Sequence, residues 1–442
     1  MPIHTRSKQP DPLSRRNFLM IASASAGGLI LSGCAKNPVT GKSQLMLVGE
    51  GEEIAIDQKQ SPHQFSEDFG AISEPRVNQY VQGVGHDLGA KSHRPNVPYS
   101  FRVVEASHVN AYAFPGGSIA CTRGILLNLD NEAQLAALLG HEIGHVSARH
   151  SAARMSQGML MQAAIAGATL AVAVKDERYA PLAGTVGALG SGLLLAKYSR
   201  DDERQADSLG LDYMVRCGHN PEGMTGLMRM LTGLHEKDPN KLELMFATHP
   251  MGKERLDNAQ RAINERYATL GNYPLNRERF MDETEPMRRY RPAVEAIQKG
   301  DKAMASGKPE TATPHYSAAL KALPDDYEAL VKMSRCLLLQ KQVKEARAYA
   351  DRAKAVKPGE AQALAAMGLA AFQMKDFAAS HVEFNAYQKL LPGNPGMYFL
   401  DGYSLDNLGR RQEAAVLYRR YLETGASDRA ALVAQNRLAA IQ

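Results

Sequence analysis

Cysteine is scarce in this 442-residue chain, and the four present, Cys34, Cys121, Cys217 and Cys336, fall in no metal-binding spacing. A cysteine-built zinc cluster is therefore excluded. If Cys34 is modified, three thiols leave room for one internal disulfide at most. Basic blocks interleaved with aromatics are missing too: the net charge of +5 is spread along the chain, so nothing supports a nucleic-acid partner. The apolar stretches at 18–31, 158–174 and 180–196 are short and rich in Gly or Ala, which argues against membrane spans. Apolar content of 44% and charge of 22% are ordinary for a globular protein, and the length exceeds what one core serves, so two or three domains are expected.

Against these absences stands His141-Glu142-Ile143-Gly144-His145. Apolar residues at 135, 138, 139, 143 and 146 give it helical spacing, with Asp130 and Glu132 near the helix start. Histidines four apart share a helical face, so both imidazoles can reach one cation. Glu142 can then act as base toward a water at that cation. A catalytic zinc usually takes three protein ligands and leaves a place for water. The metzincin solution fails, because its glycine and histidine places hold Ala148 and Ser151. His150 is about half a helical rotation from His141 and is expected to face away. The run Ser199-Arg-Asp-Asp-Glu-Arg-Gln-Ala-Asp207 puts Glu203 and Asp207 on one face. Taken alone it reads as a charged, solvated surface. Beside the first motif it offers Glu203 as third ligand and Asp207 to orient a ligating imidazole.

H-E-x-x-H followed by S-R-x-x-E-x-x-A-D resembles the gluzincin family that contains HtpX and the CAAX prenyl proteases, closest to its soluble periplasmic, BepA-like branch. The segments Asn37-Pro-Val-Thr-Gly-Lys-Ser-Gln-Leu-Met-Leu-Val48, Asn110-Ala-Tyr-Ala-Phe-Pro-Gly-Gly117 and Thr248-His-Pro250 agree with it. The resemblance implies one zinc ion held by His141, His145 and Glu203, with Glu142 as catalytic base. It places His249 near the metal as a fourth-ligand candidate and Arg255 close by, in reach of a transition state. It also implies a small sheet whose edge strand, Asn110, Ala111, Tyr112 and Ala113, lies beside the active helix. An extended polypeptide can add to such an edge through backbone hydrogen bonds, although the same residues could merely close the core.

Residues 1–34 read as an export signal. Ser14-Arg-Arg-Asn-Phe-Leu19 resembles a twin-arginine motif, and Leu31-Ser-Gly-Cys34 resembles a lipobox whose Cys34 takes a lipid and tethers the protein to a membrane. Ala35 favours outer-membrane sorting where the source has two membranes. Residues 50–95 carry helical periodicity, and 98–127 are rich in β-formers around Gly116-Gly117. The two apolar segments after the active helix are expected to be buried helices or a lid over the cleft, with a membrane hairpin, as in integral members of the family it resembles, as the alternative. The stretch 263–292 is polar, arginine-rich and without a clear period, a connector. Then a 34-residue period sets in: Pro324, Pro358 and Pro392; Gly300, Ser334, Gly368 and Gly402; Ala312, Ala346, Ser380 and Ala414; with aromatics at Tyr316, Phe384 and Tyr418. That is the tetratricopeptide pattern.

The expected fold is mainly α: an α+β peptidase domain over 35–262, a connector over 263–292, and an α-solenoid of four helical hairpins with a capping helix over 293–442. Solenoids of this kind present concave surfaces to proteins or peptides. The expected function is a membrane-tethered zinc endopeptidase of the envelope, acting in quality control on misfolded or stalled polypeptides, with the repeats recruiting a protein or peptide. The alternative is an assembly factor or chaperone whose zinc site is self-inhibited or mainly structural.

Overall fold

The computed structural model describes residues 34–159 and 197–441. The stretch before Cys34 expected to be an export signal, and nearly all of the two apolar segments, lie outside the described residues. Among the described residues, no helix is long and apolar enough to cross a membrane.

The chain opens with a hairpin, β1 (Cys34–Lys36) paired antiparallel with β2 (Ser43–Leu45), and Gly41 takes the left-handed turn position at φ 68°. Asn37 caps that turn by accepting from the amides of Val39 and Thr40, while its Nδ2 donates to Ala148 O at 3.3 Å. The amide of Leu47 donates to Ser156 Oγ, and Arg149 Nη2 donates to Val48 O. The Asn37–Val48 motif thus straps the chain just beyond the active helix.

Helices α1 (Glu50–Glu67) and α2 (Pro75–Ala90) follow, then the sheet expected over 98–127: β3 (Ser100–Val104), β4 (Ala111–Ala113) and β5 (Ser118–Thr122). The order is β3-β5-β4, with β3 parallel and β4 antiparallel to the central β5, so β4 is an edge. A short helix, α3 (Arg123–Leu126), leads to α4 (Glu132–Ser147), which is buried along its whole length. Helices α5 (Arg200–Arg216), α6 (Glu222–Lys237), α7 (Glu243–Thr248) and α8 (Lys253–Arg266) pack around it.

The segment expected as a connector without a clear period contains a helix, α9 (Arg277–Arg288). Phe280, Thr284 and Met287 fall at helical spacing and are buried in the peptidase core, a stripe too short to stand out in so polar a sequence.

Eight helices then pair as expected of four hairpins: α10 (Arg291–Ala305) with α11 (Pro309–Ala322), α12 (Tyr327–Leu339) with α13 (Val343–Val356), α14 (Ala361–Gln373) with α15 (Phe377–Leu390), and α16 (Pro395–Asn407) with α17 (Arg411–Glu423). Helix α18 (Arg429–Ile441) closes the stack. The periodic small residues sit where partner helices touch. A Cβ on Gly300 would lie 2.5 Å from the Tyr316 ring, and one on Gly368 2.5 Å from Phe384. The solenoid folds against the peptidase core: Phe69 is buried among repeat-domain side chains, edge-on to Tyr327 at 6.4 Å.

Candidate active site

Helix α4 starts at Asn131, whose side chain accepts from the Gln134 amide, and carries His141 and His145 one turn apart. Helix α5 starts with a capping box on Ser199 and carries Glu203 and Asp207 one turn apart. Glycines let the two backbones meet. A Cβ on Gly144 would lie 2.9 Å from Ala206 O, and one on Gly210 would lie 2.7 Å from the His141 amide nitrogen. This contact brings the histidines of one helix to the carboxylates of the other.

Four buried side chains converge. The Nε2 atoms of His141 and His145 are 3.0 Å apart, and they lie 3.6 and 3.4 Å from the two Glu203 oxygens. His249 joins through Nδ1, 3.0 Å from Glu203 Oε1 and 3.4 Å from His141 Nε2. The ligand atoms of all four lie within 4.8 Å of one another. Tetrahedral zinc with bonds of about 2.0–2.2 Å separates its ligand atoms by about 3.3–3.6 Å, so the cluster has the right size and donor chemistry. Both Glu142 oxygens are buried without a hydrogen-bond partner, facing the same space, with His249 Nε2 3.8 Å from Oε1. A carboxylate so placed is costly unless a cation and water complete its surroundings.

Residues 75–263 match the family model Peptidase family M48, and residues 303–369 match a tetratricopeptide repeat model. The chain carries an M48 peptidase domain followed by tetratricopeptide repeats. That domain is of the zinc metallopeptidase type. The "Beta-barrel assembly-enhancing protease" of Yersinia pestis is 27% identical over 225 residues, 49% of this chain and 46% of that protein. The "Metalloprotease YcaL" of Escherichia coli (strain K12) is 32% identical over 182 residues, 41% of this chain and 66% of that protein. The "Mitochondrial metalloendopeptidase OMA1" of Arabidopsis thaliana is 27% identical over 215 residues, 49% of this chain and 41% of that protein. The chain spans less than half the length of the beta-barrel assembly-enhancing proteases it matches.

Around the M48 site, Asp207 Oδ1 receives His141 Nδ1 at 2.9 Å, which leaves Nε2 free for the cluster. Arg255 donates Nε and Nη2 to the two Asp207 oxygens at 2.7 Å each. Its Nη1 lies 2.6 Å from Glu203 Oε2, a charge contact not aligned as a hydrogen bond. Burial opposes ionisation of Glu203, but His141, His145 and His249 outweigh it and hold that carboxyl far below the usual range. Burial pushes Glu142 up, only partly offset by His249 and His141.

His150 does not face away. Helix α4 ends at Ser147, and Arg149 adopts a positive φ of 59°, so the chain turns back and sets His150 Nδ1 2.9 Å from His145 Nδ1. Extending the helix to residue 150 was the error. His150 also meets Gln205 Oε1 at 3.0 Å, which places it behind His145 rather than in the cluster. Tyr198 was not foreseen. Its ring stacks on His145 at 3.7 Å, Arg154 Cζ lies over the same ring 3.8 Å from its centroid, and its hydroxyl meets Ser151 Oγ at 3.1 Å. Only its place just ahead of the Ser199 motif could have signalled it.

His249 caps α7, where Pro250 prevents the helix from continuing. On the other side lies β4. Asn110 O accepts from the Thr122 amide, and the Phe114 amide donates to Ser118 O, so the even positions bond to β5. Antiparallel pairing alternates, which turns the backbone groups of Ala111 and Ala113 away from β5; Ala111 is buried and Ala113 partly exposed. Ala113 lines a crevice with His145 and Val146.

Proposed function

We propose that this chain is a zinc endopeptidase of the cell envelope that cleaves misfolded or stalled polypeptides, exported and lipid-tethered through Cys34. The peptidase domain is taken as 35–262 and the repeat domain, which recruits substrate or a partner, as 293–442. One observation carries the peptidase reading: a buried, unpartnered Glu142 beside three imidazoles and a carboxylate set at zinc-ligand separations. The relatives named beta-barrel assembly-enhancing protease and metalloprotease support the peptidase reading.

His141, His145 and Glu203 would hold the metal, and Asp207 and His150 fix the two imidazoles through their other ring nitrogens. Zinc bound there supplies Lewis acidity toward water and the scissile carbonyl. Glu142 takes the water proton at a carboxylate oxygen and passes it to the leaving amine. The substrate lies extended along Ala111 and Ala113, bonded through backbone groups, so side chains are read little.

A second reading gains support from His249. With Nδ1 among the ligand atoms it fills the place water needs, which describes a self-blocked peptidase able to serve as an assembly factor at rest. In that state Arg255 is engaged by Asp207 and Glu203, so support of a transition state by Arg255 requires Nη1 to turn away.

The decisive variant for the peptidase is Glu142→Gln, assayed on casein with zinc measured alongside. Zinc content should equal wild type while cleavage falls at least about 100-fold. Wild-type cleavage at equal zinc content removes Glu142 as the base.

A further inference from the structure

The substrate edge proposed above is held from the repeat domain. Ser107, three residues ahead of Asn110, has all its polar groups met by repeat-domain side chains. Glu328 Oε1, from α12, accepts the Ser107 amide at 3.1 Å and its hydroxyl at 2.9 Å. Gln298 Nε2, from α10, donates to Ser107 O at 2.7 Å. The other oxygen of the same Glu328 accepts from Arg123 Nη2 at 2.8 Å, and Asp326 accepts from Nη1 and Nη2 of that guanidinium at 2.6 and 3.0 Å. Arg123 directly follows Thr122, the last residue of the strand to which β4 is paired. Thr122 is itself bonded to Asn110 in both directions.

One carboxylate therefore grips both the lead-in to the edge strand and the end of its partner. The grip is dry: Ser107 and Glu328 are fully buried and Arg123 nearly so. The lead-in has no slack on its inner side, where a Cβ on Gly124 would stand 2.2 Å from Ser107 O. Burial disfavours the charge on Glu328, but Lys332 and Arg123 outweigh it and keep the carboxylate ionised.

Resting on the peptidase reading, we propose that Glu328 and Gln298 are positioning residues for the peptidase, setting the register and orientation of the Asn110–Ala113 edge so that an added polypeptide strand meets Glu142. The repeat domain is then part of the substrate site and not only a recruiting arm.

The test uses the full chain with zinc bound. Gln298→Ala and Ser107→Ala each remove one hydrogen bond without leaving a buried charge; Glu328→Gln is the stronger variant. For an unfolded protein substrate, the two mild variants should raise KM about three- to tenfold, the factor a lost buried hydrogen bond gives, with kcat and zinc content at wild-type values. Amide exchange at 107–113 should rise in all three while exchange in α4 stays unchanged. Wild-type KM and wild-type exchange at 107–113 in folded Gln298→Ala and Ser107→Ala proteins overturn the proposal. A fall in kcat with loss of zinc overturns it as well, since that marks a general structural role. Should the wild-type protein cleave nothing, the peptidase reading fails. The exchange measurement still decides whether the clamp orders the edge, and unchanged exchange sinks it.

Discussion

At the scale of single residues, the four cluster side chains divide by what removing each would leave behind. Glu203 is the proposed ligand whose charge the histidines offset. An amide in its place is a poorer zinc donor, so Glu203→Gln should lower zinc affinity at least about tenfold, read by competition with a chelator. Wild-type affinity would take Glu203 out of the site. His249 differs because three ligands remain without it. His249→Ala should keep zinc and raise basal casein cleavage several-fold by clearing the place next to Glu142. Unchanged or lost activity in a folded, zinc-loaded His249→Ala protein refutes the block, and loss alone points to His249 stabilising an oxyanion instead. His150 shows how one residue's backbone redirects another's role: with Arg149 in the left-handed region, the helix stops and a histidine expected outside comes to rest behind a ligand.

At the scale of elements, the site is the contact of two helices. Gly140 and Gly144 on α4 face Gly210 and Ala206 on α5, and no ordinary side chain fits between. Gly210→Ala would put a methyl 2.7 Å from the His141 amide nitrogen, against backbone that cannot rotate aside. The helices must then separate, at a cost of about 1–3 kcal/mol. We expect a lower melting temperature and weaker zinc binding together, measured by thermal unfolding with and without a chelator. If both are wild-type, the crossing is looser than drawn. The hairpin around Asn37 acts at the same scale, tying the chain after α4 through Ala148, Arg149 and Ser156.

At the scale of the whole molecule, the solenoid and the peptidase core share a buried polar interface. Besides Glu328 and Arg123, Lys357 pairs with Glu105 and donates to Ala71 O at 2.6 Å, and Gln362 Nε2 donates to Ser66 Oγ at 3.2 Å. The buried members of this interface, Glu328 and Arg123 above all, are costly to separate once dry. The proposed lipid tether at Cys34 is tested at the same scale. Cys34→Ser should abolish lipid attachment and shift the protein to the soluble fraction or leave its signal uncleaved. Mass spectrometry that finds unmodified Cys34 in the mature wild-type protein ends the lipoprotein reading.

Local order was enough to announce much of this. The four-residue spacing of His141 and His145, and of Glu203 and Asp207, is a property of helical geometry and survives any packing. The 34-residue period is likewise a property of one hairpin repeated, with Gly300 and Gly368 already marking where Tyr316 and Phe384 would press. That Asp207 would orient an imidazole was legible, but not that it meets His141 while His150 meets His145, because that depends on how distant segments pack. Nor was Tyr198 stacked on His145, or the helix within 263–292, whose few apolar residues acquire meaning only against the peptidase core. Least legible of all was the grip of Glu328 on Ser107, 221 residues away in sequence. Periodicity along a chain reports what neighbours do to one another; contacts between distant segments are decided only when burial removes water and every polar group must find its partner.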